Sequence, residues 1–136
     1  MKRTVAIVAA LSGILLATGS AVVAHHAFSA EFDANRPLIL SGAVTKTEWV
    51  NPHAWIFMDV KDDAGAVVNW AVEMGPPSAL IRRGWNRESL QIGSTIKVDG
   101  YGAKNNRNVI NAIDITLPDG KTVFAGSSGT GAPRER

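Results

Sequence analysis

Residues 54–74 carry the pattern that most restricts what this chain can become. From Ala54 to Lys61, the side chains of Ile56, Met58 and Val60 alternate with those of Trp55, Phe57 and Asp59. A period of two sends successive side chains to opposite faces of an extended strand. Lys61-Asp62-Asp63-Ala64-Gly65 then reads as a hairpin loop, and Ala66 to Met74 return with Val68, Trp70, Val72 and Met74 on one face.

The rest of the chain extends the same theme. Leu38 to Trp49 read as a long strand in which Leu38, Leu40 and Val44 point one way. Ile39, Ala43, Thr45, Thr47 and Trp49 point the other, and Gly42 between them predicts a bulge or sharp bend. Asn51-Pro52 breaks the run as a turn. Pro77 to Arg83 read as a short helix, with Pro in the first turn and Gly84 just past its end. Arg82 and Arg83 fall in its last turn, where positive charge suits the helix dipole. Ser94–Tyr101 and Val109–Leu117 are further strands, and Pro118-Asp119-Gly120-Lys121 is a hairpin turn leading to a short edge strand at Thr122–Phe124. Three strands, a short helix and two or three more strands predict an all-β fold. The best match is a small OB-like barrel of five to six strands, its helix between strands three and four. A small β-sandwich or open roll is the alternative.

The N-terminal residues predict export. Lys2-Arg3, an apolar run from Val5 to Ala17 and the small-residue pattern Val22-Val23-Ala24 make a secretory signal peptide, too short for a membrane span. Cleavage after Ala24 leaves His25 as the first residue; cleavage after Ala21 also fits. The expected organisation is a signal peptide over 1–24, an N-terminal arm over 25–37, a barrel over 38–125 and a disordered Gly/Ser-rich tail over 126–136, in a periplasmic or secreted protein with no membrane span after processing. Phe28 and Phe32, four residues apart, are expected to lay the arm over Trp55 and Phe57. Removing Lys2 and Arg3 reduces 14 basic residues to 12, against 12 acidic ones, so the pI of 9.2 does not describe the mature surface. Without a basic stripe, nucleic acid is excluded as the expected partner. The chain has no cysteine, which removes thiol chemistry and thiolate metal sites.

Only three histidines occur: His25, His26 and His53, the last in Asn51-Pro52-His53-Ala54-Trp55. After cleavage at Ala24 the α-amine of His25, with a pKa of roughly 7.7–8.0, can yield its proton to a metal at neutral pH. That amine and three imidazoles form an all-nitrogen set suited first to copper and next to zinc or nickel. Glu31, Asp33 and Glu48 are candidate acceptors for orienting the rings. The alternative is a module that binds a glycan, peptide or envelope partner through an aromatic face of Trp55, Phe57 and Tyr101. No paired carboxylates, nucleophile elbow or phosphate loop point to catalysis. An enzyme would therefore be a copper-dependent oxidative one, resting on the N-terminal histidine alone.

Five stretches also carry a resemblance: His25-His26-Ala27-Phe28, Glu31-Phe32-Asp33, Asn51-Pro52-His53-Ala54-Trp55, Arg82-Arg83-Gly84-Trp85 and Phe124-Ala125-Gly126-Ser127-Ser128. Together they resemble a family of small exported bacterial proteins, the domain of unknown function 6152. The resemblance implies export and a single β-rich domain, and it assigns no ligand or catalytic role. Ala27 stands where the family usually carries Ser.

Overall fold

In the computed structural model, which describes residues 28–126, a helical turn at 28–31 leads into strands and one short helix. These are β1 (Phe32–Glu48), β2 (Trp55–Lys61), β3 (Val67–Glu73), α1 (Pro77–Arg82), β4 (Thr95–Ala103), β5 (Val109–Thr116) and β6 (Thr122–Phe124). β1 pairs antiparallel with both β2 and β4, β2 with β3, and β4 with β5. A parallel contact between β3 and β5 closes the ring, and β6 adds to the outside edge of β5. Closure satisfies backbone groups that open strand edges would leave unpaired. The fold is all-β and barrel-like, with its helix between the third and fourth strands as expected.

The alternation read from residues 54–74 builds the core. Ile56, Met58 and Val72 are completely buried, and Ile96, Val98 and Ile110 meet them from β4 and β5. Helix α1 ends where expected: Gly84 has φ +91°, and Trp85 follows it into the core at 3% exposure. The Trp85 indole Nε1 donates to the Phe124 carbonyl at 3.0 Å. Arg83 donates to the Gly126 carbonyl at 3.0 Å, and its guanidinium lies 4.5 Å from the Phe124 ring centre. The Gly75 amide donates to the Ala125 carbonyl at 2.9 Å. The Arg82-Arg83-Gly84-Trp85 and Phe124-Ala125-Gly126 stretches are thus two halves of one clamp. Arg83 holds the C-terminal segment rather than merely complementing the helix dipole.

Three expectations need correction. Residues 32–37, expected in the arm, already belong to β1: Phe32 lies opposite Ala103 and Pro37 opposite Tyr101. The excess residues between them bulge, with the Asp33 carboxylate accepting from the Asn35 amide at 2.9 Å. β2 does not pair with this part of β1, so the missing N–H of Pro37 costs no ladder bond there. Second, the register break toward β2 falls between Val44 and Lys46, not at Gly42. That break reverses strand parity from Lys46 onward, so Trp49 packs against the main core with Leu38 and Leu40 instead of facing away from them. Gly42 serves close approach, since a Cβ there would overlap the Asp59 carbonyl.

The third correction concerns the arm. Phe28 and Phe32 do not cover Trp55 and Phe57. They join Tyr101, Ala103 and Ile113 in a second, smaller apolar cluster on β4 and β5. Pairing of Phe32 with Ala103 commits the chain to that side. A break between Asp99 and Gly100 leaves Ile113 without a strand partner in the pairing. Ile113 therefore turns to the second cluster while Ala112 and Ile115 both face the main core. At this break a Cβ on Gly100 would overlap the Asn111 carbonyl. Gly100→Ala is expected to destabilise the domain by about 1–3 kcal/mol, as overpacked sites do, read as a lower urea midpoint with an unchanged slope.

Candidate functional site

His53 sits one residue beyond the hydrogen-bonded end of the β2–β3 hairpin. The Met74 amide donates to the Ala54 carbonyl at 2.9 Å, and the Ala54 amide to Gly75 at 3.1 Å. The Ala54–Met74 bond thus carries the ladder one step past Trp55, whose partner is Glu73, before the Ala54 amide slips by one residue to Gly75. Side chains two apart share a face, so His53 and Glu73 are diagonal neighbours across the strand pair. The His53 Nδ1 lies 3.1 Å from Glu73 Oε1. The peptide between Asn51 and Pro52 is cis.

On its other side, Glu73 lies opposite Asn111 of β5, and Asn111 lies opposite Tyr101 of β4. The Asn111 Nδ2 donates to the same Oε1 at 3.3 Å. A polar row, His53–Glu73–Asn111, thus runs across the sheet and ends against the aromatic cluster at Tyr101. Glu73 is 6% exposed and Asn111 2%. The Asn111 Oδ1 has no hydrogen-bond partner among the described residues.

Burial governs the charges here. It pushes the Glu73 carboxyl up to about 7, helped by the negative charge of Glu31 and opposed by the Asn111 hydrogen bond. Burial also holds His53 below its ordinary value, against the attraction of Glu31. Near neutral pH the contact is therefore a close polar approach and not a full ion pair. His53 Nδ1 faces Glu73 Oε1, the oxygen that accepts from Asn111, which leaves Nε2 of the partly exposed ring outside that contact.

Of the other expected site residues, Glu31 lies near enough for its charge to act on both His53 and Glu73, and the other described ones stand apart. His25 and His26 lie outside the described residues. Glu31 is exposed at the end of the helical turn, its carbonyl bound by the Lys104 amide at 2.9 Å. Asp33 bonds within its own bulge, and Glu48 pairs with Lys46 at 2.5 Å. The carboxyl against the His53 ring is that of Glu73, which sequence reasoning did not select. The loop at 61–65 carried the signal, because a hairpin closed there aligns residue 55 with 73. Trp55 and Phe57 are partly buried on β2, with Lys46 Nζ 5.4 Å from the Phe57 ring centre. Tyr101 is 2% exposed beneath Phe28, at the other end of the polar row. A groove of about 520 Å³ opens at the opposite end of β2, lined by Leu40, Val60, Asp63, Val68, Trp70 and Asn108. Among the described residues, no three His, Cys, Asp or Glu side chains gather as a metal-holding group. No helix among them is long and apolar enough to cross a membrane.

Fold and site together define a small barrel-like β-domain with a buried carboxyl–amide pair behind a partly exposed imidazole. Residues 11–111 match the family of unknown function DUF6152, and the chain belongs to that family. No curated protein matches it. Among solved structures, it is similar to the crystal structure of the ZRD-deleted mutant of TiaS in complex with agmatine, at 19% identity and a TM-score of 0.40. That likeness covers 68% of this chain and 22% of the other.

Proposed function

We propose that this is an exported copper-binding protein in which His53 Nε2 shares a metal ion with the imidazoles of His25 and His26 and the α-amine freed by cleavage after Ala24. The observation that carries this reading is the 3.1 Å contact between His53 Nδ1 and buried Glu73. Metal-ligating histidines nearly always give their other ring nitrogen to a carboxylate, carbonyl or water, which sets the tautomer and the ring plane. A ring held neutral by burial presents an available lone pair at Nε2 without first losing a proton.

Reach supports the same reading. Phe28 packs on Tyr101, at the far end of the polar row, and His26 and His25 precede it by two and three residues. Extended chain covers roughly 3.3–3.6 Å per residue, so the histidines can travel about 7–10 Å from Phe28 before their side chains are counted. Three strand steps of about 4.8 Å put His53 roughly 14 Å from Tyr101 across the sheet, a gap that the extended segment closes only together with the reach of the imidazole side chains. An all-nitrogen donor set then favours copper over zinc and nickel.

Copper titration of protein whose N-terminus has been verified by mass spectrometry tests the proposal. Processed protein is expected to bind one Cu(II), and His53→Ala to weaken binding at least roughly tenfold, the lower bound for disturbing a ligand shell. Equal affinity in the two proteins would remove His53 from the site.

A further inference from the structure

We propose that the groove at the far end of β2 from His53 is a docking site for an extended peptide carrying a basic residue, which adds as a strand to the open edge of β1 over Pro37–Ser41. The pairing pattern exposes that edge. On the β4 side, β1 is paired without a break from Pro37, opposite Tyr101, to Ala43, opposite Thr95. On the β2 side its register begins only at Gly42, opposite Val60, and among the described residues no strand pairs with β1 there before that point. β2 ends at Lys61, and the chain turns back through a loop closed by the Asp62 amide on the Ala66 carbonyl at 2.9 Å.

Alternation tells which backbone groups are left over. The Val44 amide donates to the Ser94 carbonyl at 2.9 Å, and the Val44 carbonyl accepts from the Gly93 amide at 2.7 Å, both on the β4 side. Backbone groups of a strand turn to its two edges with a period of two, so those of Leu38 and Leu40 also face β4. Those of Ile39 face the open edge, as does the Pro37 carbonyl, and Pro37 has no N–H to leave unpaired. Ile39 thus offers a donor and an acceptor together to the space beyond the end of β2. Another extended chain returns both at strand spacing, the mode by which exposed sheet edges take up peptides.

The same edge borders the groove of about 520 Å³, a size and a barrel-mouth position usual for binding sites. Its apolar floor is Leu40, Val60 and Trp70, which pack with the main core, and Ile39 beside it is 58% exposed. Side chains of a bound strand alternate, so one apolar side chain would drop toward that floor while its neighbours lie along Ile39. Charge narrows the choice further. Asp62 and Asp63 outnumber Lys61 on the rim, which favours a basic side chain over an acidic one. None of these residues belongs to the copper reading above, so the two stand or fall separately.

The probe is the fluorescein-labelled peptide Thr-Val-Thr-Val-Thr-Lys, added to metal-free protein and followed by fluorescence anisotropy, with hydrogen exchange of the Ile39 amide read by NMR. Saturable binding with a Kd below ~1 mM is expected, the weak range proper to a few main-chain hydrogen bonds and one buried side chain. The Ile39 amide should exchange freely in the protein alone and at least roughly tenfold more slowly with peptide bound. N-methylating alternate amides along one edge of the peptide should abolish binding, and methylating the other edge should leave it. Ile39→Pro removes the donor without touching the β4 ladder and should weaken binding roughly fivefold, the scale of one hydrogen bond. If that variant does not fold, the two methylated peptides carry the same test on unaltered protein. Asp63→Lys, or glutamate in place of the peptide's lysine, should weaken binding several-fold. Unchanged affinity in both would overturn the basic preference. Absence of binding, equal binding of the two methylated peptides, or an Ile39 amide already protected in the free protein would each overturn the docking site.

Discussion

Trp85→Ala is expected to lower the stability of the domain by about 3–5 kcal/mol, the range for removing a buried aromatic ring. Two losses combine. The indole leaves a cavity in the main core, where it is 3% exposed, and the Phe124 carbonyl loses the Nε1 donor at 3.0 Å. That carbonyl belongs to β6, whose neighbours Ala125 and Gly126 are bonded to Gly75, Ile113 and Arg83. The damage should therefore spread from the helix to the C-terminal edge. Trp85→Phe separates the two effects, keeping most of the packing and losing about 1 kcal/mol with the hydrogen bond. Urea denaturation measures both. A Trp85→Ala midpoint close to that of the parent protein would show that the clamp is not a stabilising element.

The second large effect concerns pH and the Glu73–His53 pair, measured on protein kept metal-free with a chelator. The Glu73 carboxyl is raised from 4.5 to about 7 in the fold. Between those values the folded state keeps a proton that the unfolded chain has released, so stability falls as pH rises through the window. At ~1.4 kcal/mol per pKa unit, this amounts to roughly 3.5 kcal/mol at most. His53 acts in the opposite sense. Its folded value lies below 6.5, so its contribution is present above pH 6.5 and is lost as pH falls below it. In the parent protein the two act in opposite senses just below pH 6.5, with Glu31 adding to the field at both groups.

Single substitutions expose each half. Relative to the Glu73→Gln/His53→Gln baseline, His53→Gln should lose stability from pH 5 to 8. Glu73→Gln should gain it over the same interval. Urea midpoints at several pH values decide the matter, and parallel curves for the two variants would sink the assignment of opposed shifts. Asn111 is uncharged, so its hydrogen bond lowers the Glu73 value without adding a titration of its own.

Strand alternation over residues 54–74, the Pro77–Arg83 helix with Gly84 behind it and the Pro118-Asp119-Gly120-Lys121 turn were legible because each depends on neighbours in the chain. So was the barrel-like order, which comes from counting strands around one short helix. His53 was legible as a candidate because it is the one histidine joined to a turn and strand. Glu73 was not, since a single glutamate on an otherwise ordinary strand carries no local mark. Its significance depends on three residues brought together from 53, 73 and 111.

The same division explains the corrections. Trp49 faces the core against expectation because the register break at Val44–Lys46 reverses strand parity, as the break at Asp99–Gly100 does around Ile113. A break is a property of two paired strands, and one strand read alone keeps its period through it. The fate of Phe28 and Phe32 was open in the same way: an i, i+4 pair of rings must be covered, but the partner is chosen by where the chain docks. By itself, the sequence determined the class of fold, the order of its elements and the imidazole worth following, since period and turn chemistry are local. Only the tertiary structure decided that a buried carboxyl stands behind that imidazole and that the aromatic arm closes over Tyr101, because burial, register and pKa belong to the folded chain as a whole.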